Sequence, residues 1–166
     1  MYFFLSLELL ALWSRRTYGI DSFVLALLRW SMSIDLPDDI KDHPQVLQAE
    51  KVAGYHAAVA NDLLSYRREV KRMGKTGEVG DIGVNVVFVV MRERGVSEPE
   101  ALAWIEGYLM PLERKFEEEV VKVHRQFEGT EYESDLRKYM AGARQLMAGN
   151  LEWSCFCGRY KEYNRA

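Results

Sequence analysis

The stretch Val84-Asn85-Val86-Val87-Phe88-Val89-Val90-Met91 decides the fold class. Taken alone, its β-branched run reads as a buried strand. A strand needs a neighbour to satisfy its backbone amides and carbonyls, and no other segment offers a second strand. Both flanks carry helical patterns. The run is therefore read as a buried helix, with Asp81 or Asn85 as its cap, and the chain as all-α.

The segments on either side support that reading. Upstream, a long helix runs from Pro44, which suits a first turn, to about Met73, and the glycine-rich loop Gly74 to Gly80 ends it. Downstream, Ser97-Glu98-Pro99-Glu100 has the form of a capping box with Pro near the first turn. The helix it opens reaches about Phe127, with Pro111 inside it and Glu117-Glu118-Glu119 read as a solvated face. After Glu128-Gly129-Thr130 a further helix covers about Tyr132 to Ala148. The aromatic tail Asn150 to Tyr163 is helical at least to Cys157.

Toward the N-terminus, Tyr2 to Ser14 is apolar almost all round and expects burial on several sides. Arg15-Arg16-Thr17-Tyr18-Gly19 breaks it, and a second helix spans about Asp21 to Met32. An Asp-rich linker bounded by Pro37 and Pro44 follows. The expectation is one domain, residues 1–166, of about seven helices.

Composition narrows the function classes. The 166 residues are enough for a sizeable core. A net charge of −3 and a pI near 5.7 provide no basic field for nucleic acid or anionic lipid. No segment has the uninterrupted apolar length of a membrane span. The apolar start lacks a basic leader and a small-residue cleavage site, so it is not read as a signal peptide. The two cysteines, Cys155 and Cys157, form a C-x-C pair that suits neither a zinc site nor a disulfide, which favours a reducing, cytoplasmic setting.

The chemistry concentrates in Asn61-Asp62-Leu63-Leu64-Ser65-Tyr66-Arg67-Arg68-Glu69. Asn61, Ser65 and Glu69 are spaced i, i+4, i+8 and share one helix face. An amide oxygen, a hydroxyl and a carboxylate form an all-oxygen edge of the kind Mg²⁺ prefers. Arg67 and Arg68 bring positive charge that suits a phosphate. The same spacing is also what a solvated polar face shows.

This N-D-x-x-S-x-x-x-E pattern resembles the second metal-binding motif of class I terpene synthases. Three other landmarks resemble the C-terminal half of fungal-type sesquiterpene cyclases in order. Arg15 and Gly19 match a diphosphate sensor and its effector loop. Asn85-Val86-Val87-Phe88-Val89-Val90-Met91 is similar to an H-N-x-V-x-V-V-M run, with Val84 in place of the His. Asn150-Leu151-Glu152-Trp153-Ser154 with Arg159-Tyr160 looks like an N-L-D-W-S…R-Y ending.

The resemblance implies the helical bundle of that family and Mg²⁺-dependent ionisation of a prenyl diphosphate, farnesyl diphosphate foremost, to a sesquiterpene. It assigns Asn61, Ser65 and Glu69 to metal, and Arg15, Arg68, Arg159 and Tyr160 to diphosphate. Arg15 becomes the sensor, Tyr18 the linker position and Gly19 the effector carbonyl. Trp153, Phe156, Tyr55 and Phe88 are available to line a dry carbocation pocket, or to serve as plain core.

The family's other metal motif, an aspartate-rich D-D-x-x-D/E, belongs on a helix ahead of the sensor, beyond what this sequence covers. Asp38-Asp39-Ile40-Lys41-Asp42 spells those letters but follows the sensor. It matches instead the family's acidic loop, here Leu36-Pro37-Asp38…His43-Pro44. The missing wall implies self-association, burying the helix Tyr2 to Trp13, or a complementary N-terminal half. The alternative function is an inactive remnant that binds Mg²⁺–diphosphate or a prenyl chain, or acts as an oligomeric helical module.

Overall fold

The structure is a computed structural model that describes residues 23–76 and 85–158. The expectations for Tyr2 to Ser14, including its burial in an oligomer, lie outside them. Within the described residues every regular element is a helix, and no helix is long and apolar enough to cross a membrane. The elements are α1 (residues 23–31), α2 (Asp38–Lys41), α3 (Pro44–Thr76), α4 (Val86–Arg94), α5 (Glu98–Gln126) and α6 (Glu133–Phe156).

Helix α3 is the spine. Its first half, through Val46, Ala49, Val52 and Ala53, packs with Phe116, Val120 and Val123 of α5 and with Leu136, Tyr139, Met140 and Ala143 of α6. Its second half, through Val59, Ala60, Leu63 and Tyr66, packs with Val86, Val87 and Val90 of α4 and with Ala101, Leu102, Ile105 and Leu109 of α5. The start of α3 therefore meets the end of α5, and the two long helices run antiparallel. The buried positions of α5 recur at helical spacing from Ala101 to Val123, which is one continuous apolar stripe.

Val86 to Val90 is helical. Asn85 accepts from the Val87 amide as its cap, and Gly95 closes the helix in the left-handed region at φ 63°. Four of its valines are buried at 8% exposure or less, so burial overrides the low helix propensity of β-branched residues. The capping box of α5 also forms, with Glu100 accepting from the Ser97 amide at 2.9 Å. Pro111 sits inside α5 without ending it.

Three expectations need correction. The helix from Tyr132 and the aromatic tail are one helix, α6, running through Gly149. Met147 is buried on one side of that glycine, and on the other the Asn150 amide donates to the Ala57 carbonyl at 3.3 Å. Those tertiary contacts outweigh the ~1 kcal/mol that a helical Gly costs relative to Ala. Glu117 to Glu119 is not a uniformly solvated face. Glu119 is 2% exposed between Lys115 and Lys122, and Glu117 forms a two-pronged pair with Arg144 of α6. The Asp-rich linker also contains a helical turn, α2, closed by an Asp38–Lys41 pair.

Helix α1 is tied to the bundle by polar contacts. Arg29 donates to Glu50 of α3 at 2.5 Å and to the Tyr139 hydroxyl of α6 at 2.7 Å, and Tyr139 in turn donates to Glu50. Burial and the Glu50 carboxylate push the Tyr139 hydroxyl well above the usual tyrosine range. Gly142 lets α6 approach α1, since a Cβ there would lie 2.5 Å from the Met32 sulfur.

Candidate metal centre

The motif lies on the second half of α3, where Leu63, Leu64 and Tyr66 face the core. Burial of these neighbours fixes the rotation of the helix and so determines where Asn61, Ser65 and Glu69 stand. Ser65 is 1% exposed, Glu69 is half-buried and Asn61 is at the exposed end of the row. The Ser65 hydroxyl donates to Glu69 Oε1 at 2.6 Å. Two of the three expected donors are thus in contact.

A partner from another helix completes the arrangement. The Asn85 side chain donates through Nδ2 to Glu69 Oε2 at 3.0 Å and to the Asp62 carbonyl at 2.9 Å. Asp62 reciprocates by accepting the Val86 amide on Oδ2 at 2.8 Å. Asp62 therefore helps cap α4. The sequence showed Asn85 as a cap and as part of the valine run, but no spacing rule connects it to Glu69, 16 positions earlier.

The electrostatics are uneven. Arg67 Nε lies 3.7 Å from Glu98 Oε1 at the start of α5, so part of its charge is directed there. Arg68, beside Glu69 in the chain, is half-buried. Farther down α3, His56 is 1% exposed with Nε2 3.2 Å from Glu113 of α5, and burial holds its pKa below the usual histidine range.

The Ser65 and Glu69 oxygens fit one edge of a hard divalent cation's shell. An octahedral ion with ligands at about 2.0–2.1 Å sets adjacent oxygens about 3 Å apart. The Ser65–Glu69 contact at 2.6 Å needs to open by only a few tenths of an ångström once the hydroxyl proton turns away. Among the described residues no group of three His, Cys, Asp or Glu side chains could hold a metal, so such a site here depends on amide and hydroxyl oxygens. Arg15, Tyr18, Gly19, Arg159 and Tyr160 lie outside the described residues. Of the expected lining, Tyr55 and Phe88 pack against the core around α4, whereas Trp153 and Phe156 are 59% and 81% exposed.

The family model for terpene synthase family 2, C-terminal metal binding, matches residues 6–115, which include this whole centre. The chain belongs to the terpene synthase family. A Delta(6)-protoilludene synthase of Postia placenta is 33% identical over 78% of this chain and 35% of its own length. A cycloaraneosene synthase of Sordaria araneosa is 28% identical over 87% of this chain and 37% of its own. The chain thus spans about a third of the length of these terpene synthase relatives. Among solved structures, a cucumene synthase variant superposes with a TM-score of 0.65 at 23% identity, covering 82% of this chain and 43% of that one. That likeness shows the terpene synthase helical fold.

Proposed function

We propose that residues 1–166 are one helical domain carrying the metal-and-diphosphate wall of a class I terpene synthase. The reaction proposed is ionisation and cyclisation of a prenyl diphosphate, farnesyl diphosphate foremost, to a sesquiterpene with release of diphosphate. The observation that carries this reading is the contact of Ser65 with Glu69 inside the segment matched by the metal-binding family model. The name of one relative, terpene cyclase 4 of Gibberella fujikuroi, supports a cyclisation step.

Asn61, Ser65 and Glu69 hold Mg²⁺ in this account. They bring one negative charge, which leaves a divalent ion with net positive charge toward an anionic substrate. Bound Mg²⁺ supplies electrostatic stabilisation of the charge that develops on the departing diphosphate. Arg15, Arg68, Arg159 and Tyr160 bind the diphosphate, and Arg15, Tyr18 and Gly19 act as sensor, linker and effector. We assign the protein to the cytoplasm, where Cys155 and Cys157 stay reduced.

In this reading self-association or a complementary N-terminal half completes the site. The second reading is a catalytically inactive binder of Mg²⁺–diphosphate or a prenyl ligand. Incubation with farnesyl and geranyl diphosphate plus Mg²⁺, followed by gas chromatography, separates the two. A terpene product abolished by Glu69→Ala supports the enzyme. Mg²⁺-dependent diphosphate binding without product supports the binder.

A further inference from the structure

Asn85 is 2% exposed and uses its whole amide. Both Nδ2 hydrogens are committed, one to Glu69 Oε2 at 3.0 Å and one to the Asp62 carbonyl at 2.9 Å, while Oδ1 accepts from the Val87 amide at 2.9 Å. The amide orientation follows from its partners. A carboxylate and a carbonyl can only accept, and a backbone N–H can only donate.

Glu69 is held from both sides as a result. Oε2 is taken by Asn85, and Oε1 faces Ser65. A glutamate carboxylate otherwise turns freely about its terminal torsion, which has broad minima. We propose that Asn85 is the positioning residue of the candidate centre: it pins Oε2 of Glu69 so that Oε1 and Ser65 Oγ face one cation. This rests on the metal reading given above. It adds a residue from outside the α3 motif and couples the start of α4 to the ligands.

Outer partners of metal ligands are typically worth 10–100-fold in affinity. Capping alone predicts a different outcome, because Ser and Thr also cap helices well. Asn85→Ser and Asn85→Thr keep an oxygen for the Val87 amide on a shorter side chain and lose the amide nitrogen that bridges Glu69 and the Asp62 carbonyl. The experiment is a Mn²⁺ titration, with and without inorganic diphosphate, followed by electron paramagnetic resonance of the free ion. Wild type, both Asn85 variants, Glu69→Ala and Val90→Ala are compared, each with circular dichroism and a melting temperature. Val90 is 1% exposed on α4 and carries no donor or acceptor side-chain atom, so its variant measures what loss of stability alone does.

The expected result is saturable Mn²⁺ binding to wild type, loss in Glu69→Ala, and about tenfold weaker binding in the Asn85 variants at wild-type helicity. If the Asn85 variants melt early, their affinity must still fall below that of Val90→Ala. Asn85 variants that bind Mn²⁺ as wild type or Val90→Ala does, while Glu69→Ala does not bind, overturn this inference alone. Absent wild-type binding, or Glu69→Ala binding as wild type does, overturns the metal reading and the inference with it.

Discussion

The hydroxyl of Ser65 donates to Oε1 of Glu69 across 2.6 Å, one turn apart on α3. Removing it leaves Glu69 still anchored by Asn85. Ser65→Ala should therefore cost only about 1 kcal/mol of stability, the usual net worth of one hydrogen bond. Mn²⁺ affinity should fall at least tenfold, because even an outer-shell loss is worth about that much. Urea melts and a Mn²⁺ titration check the pair of values, and an unchanged affinity would remove Ser65 from the site.

His56 gives the fold an acid sensitivity. Burial lowers its pKa, partly opposed by Glu113 at 3.2 Å. An unfolded histidine takes up its proton near pH 6.5, the folded one only at lower pH, so the unfolded state binds more protons in between. The contribution of His56 to stability is complete above about pH 6.5 and is lost as pH falls below it. His124, also held low by burial, pulls the same way. Unfolding free energies from urea melts should decline over about pH 7.5 to 5, and less steeply in His56→Gln. Identical slopes would refute this.

The Arg29–Glu50–Tyr139 group joins α1, α3 and α6. Tyr139→Phe removes one hydroxyl from a shared carboxylate and should cost roughly 1–2 kcal/mol. Glu50→Ala leaves the Arg29 charge, on a side chain 19% exposed, without that carboxylate. It should cost about 3 kcal/mol, at the lower end for a broken buried pair. Equal effects in chemical denaturation would show that the ion pair contributes nothing beyond one hydrogen bond.

Gly142 faces Met32 and Leu28 of the α1 region. Ala in its place gains helix propensity of about 1 kcal/mol, and the flexible Met32 end can move to admit one carbon. Leu cannot be admitted that way and should destabilise by about 1–3 kcal/mol through overpacking. Melting temperatures should rank Gly142→Ala near wild type and Gly142→Leu well below. The reverse order would mean that α1 is not packed closely here.

Local chemistry made much of this fold legible. Pro44 and the Ser97–Glu100 box mark the starts of α3 and α5, and the pattern across Val86 to Val90 resolves to helix once both flanks are helical. The i, i+4, i+8 spacing also foretells the Ser65–Glu69 contact, because it depends on one helix alone. What escaped the sequence is tertiary. The break expected between Ala148 and Asn150 disappears once Asn150 is seen on the Ala57 carbonyl, and Glu117 looks solvated until Arg144 of α6 is placed against it. The Asn85–Glu69 bond ties the start of α4 to α3 across 16 positions of the chain, and no periodicity reports such a contact.

A Mg²⁺-dependent diphosphate site on α3 can be tested by isothermal calorimetry of inorganic diphosphate against the chain, with and without Mg²⁺, in wild type and Glu69→Ala. Binding should require Mg²⁺ and vanish in Glu69→Ala. Binding that persists without Mg²⁺, or survives Glu69→Ala unchanged, would contradict it.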